Sequence, residues 1–238
     1  MLNGLLLIDK PILYTSHDVV DVVRRVLGER RVGHAGTLDP MATGLLVVMV
    51  GPATSHFESL SGDDKGYQGI LTLGYSTATQ DTEGIITSTG DAAGVTAEAL
   101  EDIFSGFVGP GEQTAPLYSA AKNKGRKGYE AARRGLADTF TPPVKQINIS
   151  ELTLNAFANP DGYFSCRVSR GTYIRTLVSD IGQKAGVPAT LTALRRTSCG
   201  LFNLSDAVTL KELRSMGASK ISDHLQAQLE AAAPKLRR

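Results

Sequence analysis

The sequence predicts an α+β fold built around a mixed, largely antiparallel central sheet flanked by helices and loops. Three observations carry this. Short apolar runs such as residues 5–9 and 45–50 have the length of buried strands. Residues 16–28 and 172–185 instead place apolar side chains at helical spacing. The two signals then alternate irregularly, without the strict strand and helix rhythm that a doubly wound parallel sheet requires.

Taken in order, residues 5–9 form the first strand. A helix follows, capped by Ser16, closed by Gly28, with Val19, Val22, Val23, Val26 and Leu27 on its apolar face. Residues 33–44 are dense in Gly, Thr, Asp and Pro and therefore form a loop, from which 45–50 emerges as a strand buried on both faces. A second strand covers 67–73, residues 81–84 are turn material, and 96–107 form a short helix. Between residues 110 and 143 the Gly, Pro and basic content predicts an excursion from the core, with one helix near 129–134 ended by Gly135. Strands at 144–154 and 163–168 precede a helix over 172–185, whose inner face carries Ile174, Leu177, Val178, Ile181 and Ala185. Thr209 and Glu212 have the spacing of a capping box. The tail from 214 to 238 shows no core pattern, so its removal after Ser219 is expected to be tolerated.

Composition excludes several classes. A hydrophobic fraction of 42% and a charged fraction of 21% are those of an ordinary globular chain. No apolar run approaches the roughly 20 residues of a spanning helix. The first apolar run ends at Asp9 and Lys10 without the marks of a signal peptide, so a cytoplasmic protein is expected. Cys166 and Cys199 form no metal-ligand pair, and His17, His34, His56 and His224 are too scattered for a zinc site. The formal net charge is only +1, yet the charges are segregated. Residues 91–112 carry five acids and no base, whereas 122–134 carry Lys122, Lys124, Arg126, Lys127, Arg133 and Arg134 against Glu130 alone. A face able to contact phosphates fits this distribution, as do two ordinary solvated loops.

Phosphate-loop, dinucleotide, nucleophile-elbow and HExxH signatures are all absent, so any chemistry falls to side chains alone. Three stretches could supply it. In Gly33-His34-Ala35-Gly36-Thr37-Leu38-Asp39-Pro40-Met41-Ala42-Thr43-Gly44, an Asp before Pro is by itself a common turn residue. Its apolar flanks, however, place Asp39 at the core edge, where a carboxylate needs a cation or donors to stay ionised. In Arg170-Gly171-Thr172-Tyr173-Ile174-Arg175, Arg175 falls in the first turn of a helix, where the macrodipole disfavours a cation by about 0.3–1 kcal/mol. A carboxylate partner would offset that cost, and Asp39 is the expected one; the alternative is an exposed arginine screened by water. In Asp64-Lys65-Gly66-Tyr67-Gln68, Tyr67 is either a core aromatic or a flat face for an extruded base.

Together these stretches resemble the TruB family of tRNA pseudouridine synthases, from about residue 5 to 213. The resemblance implies the pseudouridine synthase fold, with Asp39 as the nucleophile of the GHxGTLDPxAxG signature. It implies that Arg175 is the counter-ion of that nucleophile and that Tyr173 lines the pocket. Tyr67, in a K/R-x-Y element with Lys65, is implied to pack on the target uracil. Leu194 before Arg195-Arg196 would wall the site, and His34 would handle flipped nucleotides. Residues 116–135, with Lys122, Arg126 and Lys127, resemble the family's RNA-binding region. The implied reaction is isomerisation of uridine 55 in the tRNA T loop, by base flipping, without cofactor or metal, on a monomer. The expected organisation is a catalytic domain over 1–213 with an RNA-binding excursion near 110–143, then a tail over 214–238 in place of the PUA domain carried by many bacterial members. An RNA-binding or tRNA-folding chaperone without chemistry remains open at this level, as does a synthase acting on another RNA.

Overall fold

The computed structural model describes residues 2–119, 122–123, 126–128 and 140–236, with the side chains of 122, 123, 126 and 127 outside the description. Two compact units result: Met1–Tyr67 with Leu194–Arg238, and Gln68–Ala193. No described helix is long and apolar enough to cross a membrane. Strand pairing is largely antiparallel in both units and helices cover the strands, which is the α+β class the sequence predicts.

In the first unit, β1 (Gly4–Lys10) pairs antiparallel with β3 (Thr43–Val50) from Gly4↔Val50 to Lys10↔Gly44. The short β2 (Val32–His34) lies antiparallel on the other side of β3. Both long strands are apolar at every turn of the pleat because both faces are covered. Leu6, Ile8, Leu46, Val48 and Val50 face one hydrophobic cluster, and Leu5, Leu7, Leu45, Val47 and Met49 the other. Helix α1 (Ser16–Leu27) packs Val19, Val20, Val22 and Val23 into the first cluster. Its cap is Thr15 rather than Ser16: the Thr15 hydroxyl accepts from the Asp18 amide at 3.0 Å, and the Asp18 carboxylate accepts from the Thr15 amide at 2.8 Å. Such reciprocal capping typically stabilises a helix by about 1 kcal/mol.

The tail differs from expectation. Helix α6 (Ala218–Leu236), which follows α5 (Leu210–Ser215), is no loose appendage. Ile221 and Leu225 are buried in one cluster and Ala232 in the other. A Cβ on Gly4 would lie 2.2 Å from the Leu225 carbonyl oxygen, so only glycine lets α6 approach β1 this closely. Lys235 pairs with Asp63. The residues beyond 213 belong to the same compact unit as β1.

In the second unit the strand order runs β4 (Lys65–Leu73), β11 (Asp161–Val168), β10 (Val144–Ala158), β7 (Gly109–Thr114). β10 is antiparallel to both neighbours. The helices α3 (Ala97–Ser105) and α4 (Ile174–Lys184) supply Leu100, Phe104, Leu177, Val178 and Ile181 to the core, where Phe104 meets Phe164 edge-on at 6.4 Å. A long strand absent from the sequence-level expectations, β12 (Ala189–Cys199), carries the chain back to the first unit. β8 (Lys122–Asn123) and β9 (Arg126–Lys127) pair as a two-stranded ribbon, Lys122 opposite Lys127 and Asn123 opposite Arg126. The helix expected at 129–134, with Arg133 and Arg134, lies outside the described residues, as does Lys124.

Candidate active site

The loop between β2 and β3 is held by three separate clamps within the first unit. Arg196, only 1% exposed, extends from β12 along the inside of this loop. Its Nε donates to the Leu45 carbonyl at 2.7 Å, Nη2 to that of Gly36 at 3.1 Å and Nη1 to that of Thr37 at 3.4 Å. The buried Ser16 hydroxyl, freed from capping, accepts from the Leu38 amide at 2.8 Å and donates to the Leu38 carbonyl at 3.1 Å. Lys10, wholly buried, donates from Nζ to the Pro40 carbonyl at 3.3 Å as well as to those of Pro11 and Tyr14, and the Leu13 amide also reaches Pro40.

Asp39 therefore sits between two residues whose backbones are fixed, its own carbonyl accepting from Ala42 at 3.0 Å. Its side chain is half-buried. At the end of the loop, Gly44 has φ +98°, and a Cβ there would stand 2.3 Å from the Arg196 carbonyl oxygen. Only glycine permits that contact between β3 and β12.

The remaining first-unit candidates stand on β2, β4 and β12. Tyr67 and Leu194 are both buried, and the Leu194 carbonyl accepts from the Thr43 hydroxyl at 3.4 Å. Arg195 turns the other way from Arg196 and forms a two-pronged pair with Asp9, at 3.0 and 2.7 Å. Lys65 is buried, with Nζ donating to the carbonyls of Ser61 and Asp63, which makes it an internal cation. His34 is half-buried on β2; burial, and next the charge of Arg196, hold its pKa below the ordinary value of 6.5. It is thus a neutral imidazole near pH 7.

In the second unit, Arg175 is buried in the first turn of α4 and does have a carboxylate beside it. Its Nε lies 3.6 Å from the carboxylate of Asp81, while Nη1 donates to the Thr79 carbonyl at 2.7 Å and Nη2 to that of Tyr118 at 3.0 Å. Asp81, 2% exposed, is itself fixed by the Thr79 hydroxyl at 2.5 Å and the Glu83 amide at 2.9 Å. The sequence reading treats Asp81 only as turn material, because a lone Asp among Thr, Gln and Gly has turn chemistry and nothing local reports a partner 94 residues away.

Tyr173 is set by a residue that reading also misses. The buried Gln113 donates from Nε2 to the Tyr173 carbonyl at 3.1 Å, and its Oε1 accepts from the Tyr173 amide at 2.7 Å. The residue preceding the helix thus has its backbone amide and carbonyl both held by one side-chain amide, and no side chain caps the helix in the conventional way. Lys145 lies over the tyrosine ring, 5.1 Å from its centre. Of the basic residues expected to meet RNA, Lys122, Arg126 and Lys127 are described at the backbone only. No cluster of metal-ligating side chains occurs among the described residues.

Residues 24–174 match the family model of the TruB family pseudouridylate synthase N-terminal domain, and residues 175–232 that of the tRNA pseudouridylate synthase B C-terminal domain. The chain belongs to the TruB family. The second match carries the family likeness through most of the tail, past the limit near 213 set by the sequence motifs. The tRNA pseudouridine synthase B of Opitutus terrae is 42% identical over 231 residues, 97% of this chain and 95% of that protein. That of Syntrophotalea carbinolica is 44% identical over 215 residues, 90% and 70% respectively. Among solved structures, the chain is similar to one in a Cbf5-Nop10-Gar1 complex, with a TM-score of 0.70, 29% identity and coverage of 89% of this chain and 54% of that one. It is also similar to one in an H/ACA RNP bound to a substrate RNA containing 2'-deoxyuridine, at a TM-score of 0.67, 25% identity and coverage of 89% and 52%. The TruB chain spans about half the length of those two. It is a pseudouridine synthase, an isomerase that converts uridine in tRNA to pseudouridine.

Proposed function

We propose that this TruB protein isomerises uridine 55 in the T loop of tRNA, with Asp39 as nucleophile. The observation that carries this reading is the clamped loop: Arg196, Ser16, Lys10 and Leu13 fix the peptides on both sides of Asp39 and leave a half-buried carboxylate between them. Prepaid rigidity of this kind is what a reacting group requires, since the entropy of positioning is then lost on folding and not during the reaction.

The chemistry is redox-neutral. The N1 to C1′ glycosidic bond breaks, the uracil turns, C5 bonds to C1′, the C5 proton leaves to solvent, and the freed N1 takes up a proton in its place. A carboxylate serves either as an attacking oxygen or as a counter-charge to an oxocarbenium-like centre. Arg175 is the guanidinium proposed to face Asp39 and keep it anionic. Five N–H donors allow one guanidinium to serve two carboxylates, and Asp81 with the carbonyls of Thr79 and Tyr118 holds it in one orientation. Tyr67 supplies a face for the uracil and a hydroxyl within reach of its C5 proton, while Leu194 and Tyr173 limit water. The uridine must leave its stack to reach Asp39, at a cost of a few kcal/mol that contacts elsewhere on the RNA repay. His34, as a neutral imidazole, and Lys122, Arg126 and Lys127 are proposed to handle the flipped T-loop nucleotides and their phosphates.

The test is incubation with an unmodified tRNA transcript, followed by chemical mapping of pseudouridine. A single new modification at position 55 is expected. Modification elsewhere, or binding without modification as a tRNA-folding chaperone would show, contradicts the proposal.

A further inference from the structure

We propose that Arg24, Arg25, Arg30 and Arg31, grouped at the C-terminal end of α1, form a second RNA-contacting surface that grips phosphates of the tRNA backbone apart from the Asp39 loop. The inference deepens the tRNA reading and rests on it. α1 ends at Leu27, and Gly28 turns the chain in the left-handed region at φ +62°. Arg24 and Arg25 lie in the last turn, where a cation offsets the helix macrodipole, so their presence alone needs no ligand. Arg30 and Arg31 lie beyond the cap, where that explanation lapses.

Local carboxylates do not neutralise the group. Asp21 is engaged by Arg24 Nη1 at 2.9 Å, and Glu29 Oε1 accepts from the Arg31 backbone amide at 3.0 Å. Arg31 is exposed and uses its Nε on the Thr54 hydroxyl at 2.6 Å, and exposed Arg25 uses its Nε on the Asp21 carbonyl at 3.2 Å. Arg30 is exposed, and its side chain makes no hydrogen bond or ion pair among the described residues, while its carbonyl accepts from the Val32 amide at 3.1 Å. The Nε of Arg24 is buried, also without a hydrogen-bond partner among them. Arg24, Arg25 and Arg30, with Gly28 and Glu29, line an open depression of about 480 Å³.

Four guanidinium groups against two occupied carboxylates suit a polyanion, and the guanidinium fork matches phosphate oxygens in pairs. The position is also apt. Arg31 immediately precedes β2, whose three residues rise about 10 Å into the loop of Asp39. An RNA presenting its uridine to that loop has phosphates within a few nucleotides of the arginines.

The test is binding of an unmodified tRNA transcript, by fluorescence anisotropy over a salt series, to the full chain and to the triple variant Arg25→Glu, Arg30→Glu, Arg31→Glu. At least tenfold weaker binding near 0.1 M salt is expected. The dependence of log affinity on log salt should become shallower by about 2–3, one step of 0.7–0.9 for each phosphate contact removed. Arg30→Gln is a second variant with no intramolecular bond to lose; its slope should fall by about 1. Unchanged affinity and slope in the folded variants overturn the proposal. The readout is independent of which uridine is modified, so modification at a position other than 55 would refute the earlier reading and leave this one standing.

Discussion

Arg175 shows how a residue-level anomaly becomes a structural statement. A cation in the first turn of α4 opposes the helix dipole, and the structure answers it with the buried carboxylate of Asp81 and two carbonyls. Removing one member of a buried ion pair typically costs 3–5 kcal/mol, because the other charge is left without compensation. Asp81→Asn preserves shape while deleting that charge. Pseudouridine formation at saturating tRNA is therefore expected to fall at least tenfold while the melting temperature drops; wild-type turnover in the variant would show that Arg175 does not need this anchor. His34 provides a test in pH. Its folded pKa is lower than its ordinary 6.5, chiefly by burial and next by Arg196, so the unfolded chain gains a proton that the native chain refuses. The stability this contributes is present above about pH 6.5 and is lost as the pH falls toward the folded value. Urea midpoints at pH 7 and pH 5.5 should therefore fall more in the wild type than in His34→Gln, and equal falls would contradict the assignment.

At the scale of elements, α6 reverses an expectation drawn from the sequence. Its Ala-rich, polar appearance hides a stripe at Ile221, Leu225 and Ala232 that is buried against both faces of the β1–β3 pair. Loss of the two larger side chains alone removes about 3–6 kcal/mol of burial, a large part of the 5–15 kcal/mol that holds a typical domain together. Truncation after Ser219 is accordingly expected to abolish soluble folding or lower the urea midpoint sharply; a truncated chain with an unchanged midpoint would contradict the packing described. The apolar runs of β1 and β3 and the amphipathic faces of α1 and α4 were legible because their periods are sustained over whole elements. β12 was not, since a strand containing Arg195-Arg196 reads as surface until a partner for the buried guanidinium is known, and that partner is a loop some 150 residues away.

For the whole molecule, the residues proposed to carry chemistry were legible as motifs, and the residues that hold them in place were not. Asp39, Tyr67, Arg175 and Leu194 stand in strings distinctive enough to carry a family resemblance, which the family models and relatives bear out. Ser16, Lys10, Gln113 and Asp81 are small or ordinary polar residues whose importance lies in contacts made across the fold, and contacts of that range leave no local pattern. A rigid scaffold presenting one acidic side chain to an extruded uridine is the central claim, and Asp39→Asn tests it most directly. The variant and the wild type are compared for tRNA binding and for release of tritium from tRNA labelled at uridine C5. Binding within a few-fold of wild type with release abolished is predicted; release at a wild-type rate from the variant would contradict the account.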